Sequence, residues 1–266
     1  MIAASIAPAL AVELEVFHAD SLAGPMRELQ SAYEAKHPGI TLKLTAGVSK
    51  QLAERVLKGE ACDVFAPSSP AVIDDELLGK PVGAAWYIVF SANEMVVITA
   101  KGNPLNVRDL ADIAKPGMRV SRVTGEKDLA TGRTVEFLKR EAAREGRPEF
   151  AQQIADKAPI DPSKPVAVPD VVSAVRQGGA DAGIVYYSAA VAARGEVGIV
   201  RFPESVNLSE AIRNAAAVPG TARHPQEATA FVAYLISPEA QEILRTAGQP
   251  PVSPALRRGA IPSELR

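Results

Sequence analysis

The sequence predicts an α/β protein of two lobes, each a mostly parallel sheet flanked by helices. Three observations predict it. From Val12 to Ala66, strand-like and helix-like runs alternate in a βαβαβ rhythm with short turns. The unit of strand, polar turn and helix returns in the second half, around Arg119–Glu145 and Val166–Tyr186. The chain has 266 residues, 47% of them hydrophobic, which is enough for one large domain or two small ones.

The elements follow in order. Val12 to Phe17 alternates apolar and polar residues, as a strand with one polar face does. Met26, Leu29 and Tyr33 mark the apolar stripe of a helix over Ala23–Lys36, which His37-Pro38-Gly39 stops. Ile40–Leu44 is the next strand, Gln51–Lys58 the next helix, and Cys62–Ala66 a short buried strand. Met95–Thr99 and Arg119–Val123 are strands. Leu110–Ile113 is a short helix, and a longer one runs from about Arg133 to Glu145 after the turn Thr131-Gly132. Val166–Val168 is extended, Val171–Gln177 helical, and Ala182–Tyr186 a strand. Glu210–Val218 links back to the first half. Pro225–Ile236 and Pro238–Ala247 are helices opened by proline, and the proline-rich tail from Gln249 wraps the surface. These elements divide the chain into a first lobe of residues 12–92 plus 206–266 and a second of residues 93–205.

Composition excludes several functions. Twenty-nine basic residues against 31 acidic ones leave a net charge of -2, with no basic field for nucleic acid. One cysteine, Cys62, permits no internal disulfide and reads as a buried apolar residue. His18, His37 and His224 lack metal-ligand spacing. No Gly-x-Ser-x-Gly elbow or phosphate-binding loop occurs, and Asp74-Asp75-Glu76 reads as a solvated carboxylate run. Residues 1–11, apolar and ending Ala-Pro-Ala-Leu-Ala, read as the remnant of a secretory signal peptide, which implies a periplasmic protein. The other runs fall short of the ~18 apolar residues a membrane span needs.

Four turns end strands and open helices: Asp20-Ser21, Val48-Ser49, Ala130-Thr131-Gly132 and Pro169-Asp170-Val171. Helix N-termini offer N–H groups and a partial positive charge, so such turns together make an anion site without lysine or arginine. Singly, each serine or threonine is also an ordinary helix cap. Tyr186 either packs in the core or points its hydroxyl into a cleft.

The segments Val16-Phe-His-Ala-Asp-Ser-Leu22, Lys36-His-Pro-Gly39, Gly47-Val-Ser49, Cys62-Asp-Val-Phe65 and Gly183-Ile-Val-Tyr-Tyr-Ser188 resemble the molybdate-binding proteins of ABC transporters. Trp86-Tyr-Ile-Val-Phe-Ser-Ala-Asn-Glu94 resembles their tungstate/molybdate-binding branch from archaea. The resemblance runs from about Val12 to Pro254. It implies the type II periplasmic-binding-protein fold, with two hinge crossings and two lobes closing on an oxyanion. It implies hydroxyl contacts from Ser21 and Ser49, main-chain N–H contacts from Thr131 and Val171, and the hydroxyl of Tyr186. The partners it implies are molybdate or tungstate and a membrane permease. The protein is then a monomer, not an enzyme, with no cofactor and no metal bound directly. Where the archaeal branch places two carboxylates against the metal, this chain has Leu129 and Val168, so the expected guest is a four-coordinate, tetrahedral oxyanion. Asp20 and Thr131 depart from the family pattern and favour the alternative of sulfate, phosphate or a small carboxylated or phosphorylated metabolite. An enzyme on the same scaffold would have to use Asp20, His18 or Asp128.

Overall fold

The computed structural model of the chain describes residues 11–126 and 128–266. The signal-peptide reading of residues 1–11 therefore lies, apart from Ala11, outside the described residues. The chain forms two compact units. Of the described residues, one unit holds 11–91, 214–244 and 251–266, the other 92–213 and 245–250.

In the first unit, β1 (Val12–Ala19) buries Leu14 and Val16 on its apolar face. A 3-10 turn, Asp20–Leu22, leads into α1 (Ala23–Lys36), whose Met26, Leu29 and Tyr33 are buried at helical spacing. The ring of His37 stacks on Tyr33 at 3.9 Å, and Gly39 at φ +94° turns the chain where a side chain would be strained. β2 (Ile40–Gly47) lies parallel to β1, with Val12 opposite Ile40 and Ala19 opposite Gly47. After α2 (Ser49–Leu57), β3 (Val64–Ala66) joins the other edge of β1, also parallel. Then come α3 (Pro70–Glu76) and β4 (Trp86–Ala92).

The second unit runs β5 (Met95–Ala100), α4 (Leu110–Ala114), β6 (Val120–Arg122), α5 (Leu129–Arg144), α6 (Glu149–Lys157), α7 (Val168–Arg176), β7 (Ala182–Tyr186), α8 (Tyr187–Ala192) and β8 (Val197–Val200). Its sheet order is β6-β7-β5-β8. Only β6 and β7 pair in parallel; β5 is antiparallel to both β7 and β8. This sheet is mixed, whereas β2-β1-β3 is wholly parallel. Val96, Ile98, Phe137, Leu138, Val171 and Ile184 lie at its core.

The chain returns to the first unit through β9 (Arg213–Ala216), α9 (Pro225–Leu235), α10 (Pro238–Thr246) and β10 (Pro251–Gly259). The tail expected to wrap the surface is thus a strand. It pairs antiparallel with β4, Gly259 opposite Trp86, and its register slips between Pro251 and Leu256. An edge position tolerates its prolines, which lack an N–H for the ladder. Phe231, Val232, Leu235, Leu244 and Leu265 complete the core around Leu14, Val16 and Met26. The buried Asp63 carboxylate binds the return segment to β1, accepting N–H groups from Glu15 (2.9 Å), Arg223 (2.8 Å) and His224 (2.8 Å).

Three expectations need correction. Residues 206–213 belong to the second unit, because Asn207 and Ile212 carbonyls accept the N–H groups of Met95 and Asn93. Residues 245–250 also lie there, tied by the Ala92 N–H to Pro250 O bond, so the chain changes unit four times rather than twice. Asp74 is not simply solvated. It accepts the Tyr87 hydroxyl at 3.0 Å and pairs with Arg258 at 3.0 Å, joining α3, β4 and β10; Asp75 is exposed as expected.

Candidate functional site

In the first unit, parallel strands bring three serines to one end of one sheet. Ser21 and Ser49 each stand two residues past the paired Ala19 and Gly47. Ser68 stands two residues past Ala66, which pairs with His18, and so comes level with Asp20. Ser49 is the first residue of α2 and is buried. It is not the helix cap; that position is Val48, with no capping side chain. The Ser49 Oγ instead accepts the Ser68 N–H at 3.3 Å. A hydroxyl that accepts in this way keeps its own proton for another acceptor. Ser21 is half-buried and Asp20 is exposed, both within the 3-10 turn. His18 is buried in β1 with Nδ1 2.9 Å from Ala19 O, and burial pushes its pKa down.

Sequence reasoning missed Ser68. The signal was present in Phe65-Ala-Pro-Ser-Ser-Pro70, a strand end followed by hydroxyls and a helix-opening proline.

In the second unit, the β6 and β7 ends lie together, and antiparallel pairing of Met95 with Tyr186 brings the start of β5 to the same end. The loops that precede α5 and α7 are clipped together. Thr124 N–H donates to Val166 O (3.1 Å) and the Val166 N–H to Thr124 Oγ1 (3.0 Å). α5 starts earlier than the sequence suggests, because Asp128 caps it by accepting the Ala130 N–H at 2.8 Å. Thr131 therefore lies in the first turn of the helix rather than in the loop before it. Its N–H donates to Asp128 O (3.1 Å) and its hydroxyl to Gly125 O (2.7 Å).

α7 also starts earlier, at Val168, with Pro169 in the first turn, where no N–H is required. Val171 sits inside it with its N–H on Ala167 O (3.2 Å) and its side chain in the core. Both main-chain groups thus already have an acceptor. Asp170 accepts the Ala167 N–H at 2.9 Å and serves the helix start.

Tyr186 ends β7, 4% exposed. Its oxygen accepts Arg133 Nη1 at 2.9 Å, and the guanidinium lies 5.7 Å from its ring centroid. Burial raises the phenol pKa; the Arg133 charge works against that, and Asp128 adds to it. Arg133 was not foreseen, since the late helix start set it apart from the turn. Arg122 is a second unforeseen cation. It is 3% exposed, its Nε has no partner, and burial lowers its pKa with no charged neighbour to compensate. Among the described residues, no group of three or more His, Cys, Asp or Glu side chains could hold a metal ion.

The chain matches the family described as bacterial extracellular solute-binding protein over residues 14–249. The chain belongs to that family. It is a family of solute-binding proteins, not of enzymes. Among this solute-binding protein's relatives, the molybdate-binding protein ModA of Mycobacterium tuberculosis is 29% identical over 239 residues, covering 88% of this chain and 82% of that protein. Among solved structures, the substrate-binding domain of a putative molybdenum ABC transporter from Clostridium difficile superposes with TM-score 0.70 at 20% identity, over 91% of this chain and all of that one. The sulfate-binding protein SubI of Mycobacterium tuberculosis gives 0.69 at 21% identity, over 91% and 88% of the two chains. The solute-binding protein thus has the type II periplasmic-binding-protein fold.

Proposed function

We propose that this solute-binding protein captures a tetrahedral oxyanion, molybdate or tungstate, in the periplasm and delivers it as a monomer to an ABC-transporter permease. The observation that carries the reading is the row of Ser21, Ser49 and Ser68 past the ends of three neighbouring parallel strands. Ligands of open α/β sheets bind beyond the carboxyl ends of strands. Hydroxyl and N–H donors replace the hydration of a dianion without forming a permanent ion pair. Ser21, Ser49 and Tyr186 are the principal donors. Thr131 and Val171 join them through N–H groups shared with their helical acceptors. Protonated phosphate would bring a donor to a site made of donors and is disfavoured. The ModA relative supports molybdate.

A second reading, sulfate, is favoured by the likeness to SubI and by Arg133, which adds a cation to the hydroxyl set. Titration calorimetry with molybdate, tungstate, sulfate and phosphate in parallel decides between them. Tight heat with molybdate and tungstate alone is expected; a preference for sulfate would replace the first reading by the second. Ser21→Ala should cost about 1–3 kcal/mol of molybdate binding, as for a charged group that loses one donor. Undiminished affinity in that variant would remove Ser21 from the set.

A further inference from the structure

We infer that Arg133 is the positioning residue of the anion site: it holds the oxygen of Tyr186 so that the phenol proton is presented to the bound oxyanion. The inference rests on the oxyanion reading above and adds a residue to it. A guanidinium carries donors only, so in the 2.9 Å contact the phenol oxygen must accept. The Tyr186 proton is thereby directed elsewhere. Among the described residues no acceptor takes it, although the side chain is 4% exposed. A buried hydroxyl proton without an acceptor is costly, and an oxyanion oxygen supplies one.

The same contact answers the carboxylate nearby. Asp128 caps α5 through Ala130 and lies close enough for its charge to act on Tyr186. A neighbouring carboxylate repels an anion and offers the phenol a competing acceptor. Arg133, two residues past Thr131 on α5, stands against both effects. Its charge also draws density from the phenol oxygen and strengthens the O–H as a donor. In the first unit, the Ser68 N–H engages the Ser49 oxygen in the same sense, leaving that hydroxyl proton to be given.

The test is a double-mutant cycle on the full chain, read by calorimetry with sodium molybdate, tungstate and sulfate. Tyr186→Phe and Arg133→Met should each weaken binding about tenfold or more. Together they should weaken it little further, since Arg133 acts through the hydroxyl. Arg133→Lys, which keeps a charged donor, should recover part of the loss. Thermal melts of each variant identify any that fail to fold, and Arg133→Gln then replaces Arg133→Met in the cycle. Additive losses would make Arg133 an independent ligand contact and overturn the inference, as would unchanged affinity in Arg133→Met. If the unaltered chain bound none of the three anions, the oxyanion reading would fall and this inference with it.

Discussion

Two buried ionisable side chains show what single positions cost this protein. His18 is buried, and burial lowers its pKa from the ordinary 6.5. The unfolded chain therefore takes up a proton near pH 6.5 that the folded chain refuses. Stability should fall as pH drops from about 6.5 toward the lowered folded value, by at most about 1.4 kcal/mol per pH unit. His18→Asn should flatten that slope in urea unfolding measured across the window; an unchanged slope would assign it to other groups. Arg122 is buried without a counter-charge. Arg122→Met should leave the ligand-free protein as stable or more so, by about 1–4 kcal/mol if it behaves like other replaced buried ions. A large fall in melting temperature would show that the guanidinium is compensated. At this scale the sequence was only partly legible. Ser21 and Ser49 stood out because strand, hydroxyl and helix followed in plain order. Ser68 was hidden in a run that reads as any loop, and Arg133 and Arg122 as any helix or strand arginine. The partners of Ser68 and Arg133 come from elements 19 and 53 residues away, and the Arg122 Nε has none.

At the scale of elements, strands and helices with a clear period were read nearly to the residue. α1 and β7 coincide with their expected ranges, since buried stripes and glycine or proline stops mark them. α3 and α6 were not read. The first opens behind two serines and carries acids that look solvated, while the second follows a charged, glycine-containing turn. β8 and β10 were missed because pairing with a distant strand, rather than their own pattern, makes them strands. The start of α5 shifted toward the N-terminus because its cap, Asp128, is set by side-chain geometry that residue order alone does not show. The seating of α7 on its sheet depends on Gly183. A methyl there would lie 2.8 Å from Val171 Cγ1, 2.9 Å from Val175 Cγ2 and 3.0 Å from Ile98 Cγ1. Gly183→Ala should destabilise by about 1–3 kcal/mol in chemical denaturation, and adding Val171→Ala should relieve part of the clash. A neutral Gly183→Ala would mean that α7 sits with slack.

At the scale of the whole molecule, two lobes were legible because the strand-turn-helix unit recurs, but their boundaries were not. The hydrogen bonds that draw residues 206–213 and 245–250 into the second unit leave no mark on the pattern of apolar residues. That interrupted path has a consequence for how the chain acquires its structure. All the strands of the second sheet come from one continuous stretch, residues 92–213, whereas β1, β2 and β3 have their core closed by Phe231, Leu235, Leu244 and Leu265. Near neighbours along a chain meet sooner than distant ones. In pulse-labelled hydrogen exchange during refolding, the amides of β5 and β7 should gain protection before those of β1 and β2; the reverse order would refute this. During synthesis β1, β2 and β3 would emerge well before the segment that covers them and would settle only once Phe231, Leu235, Leu244 and Leu265 had followed.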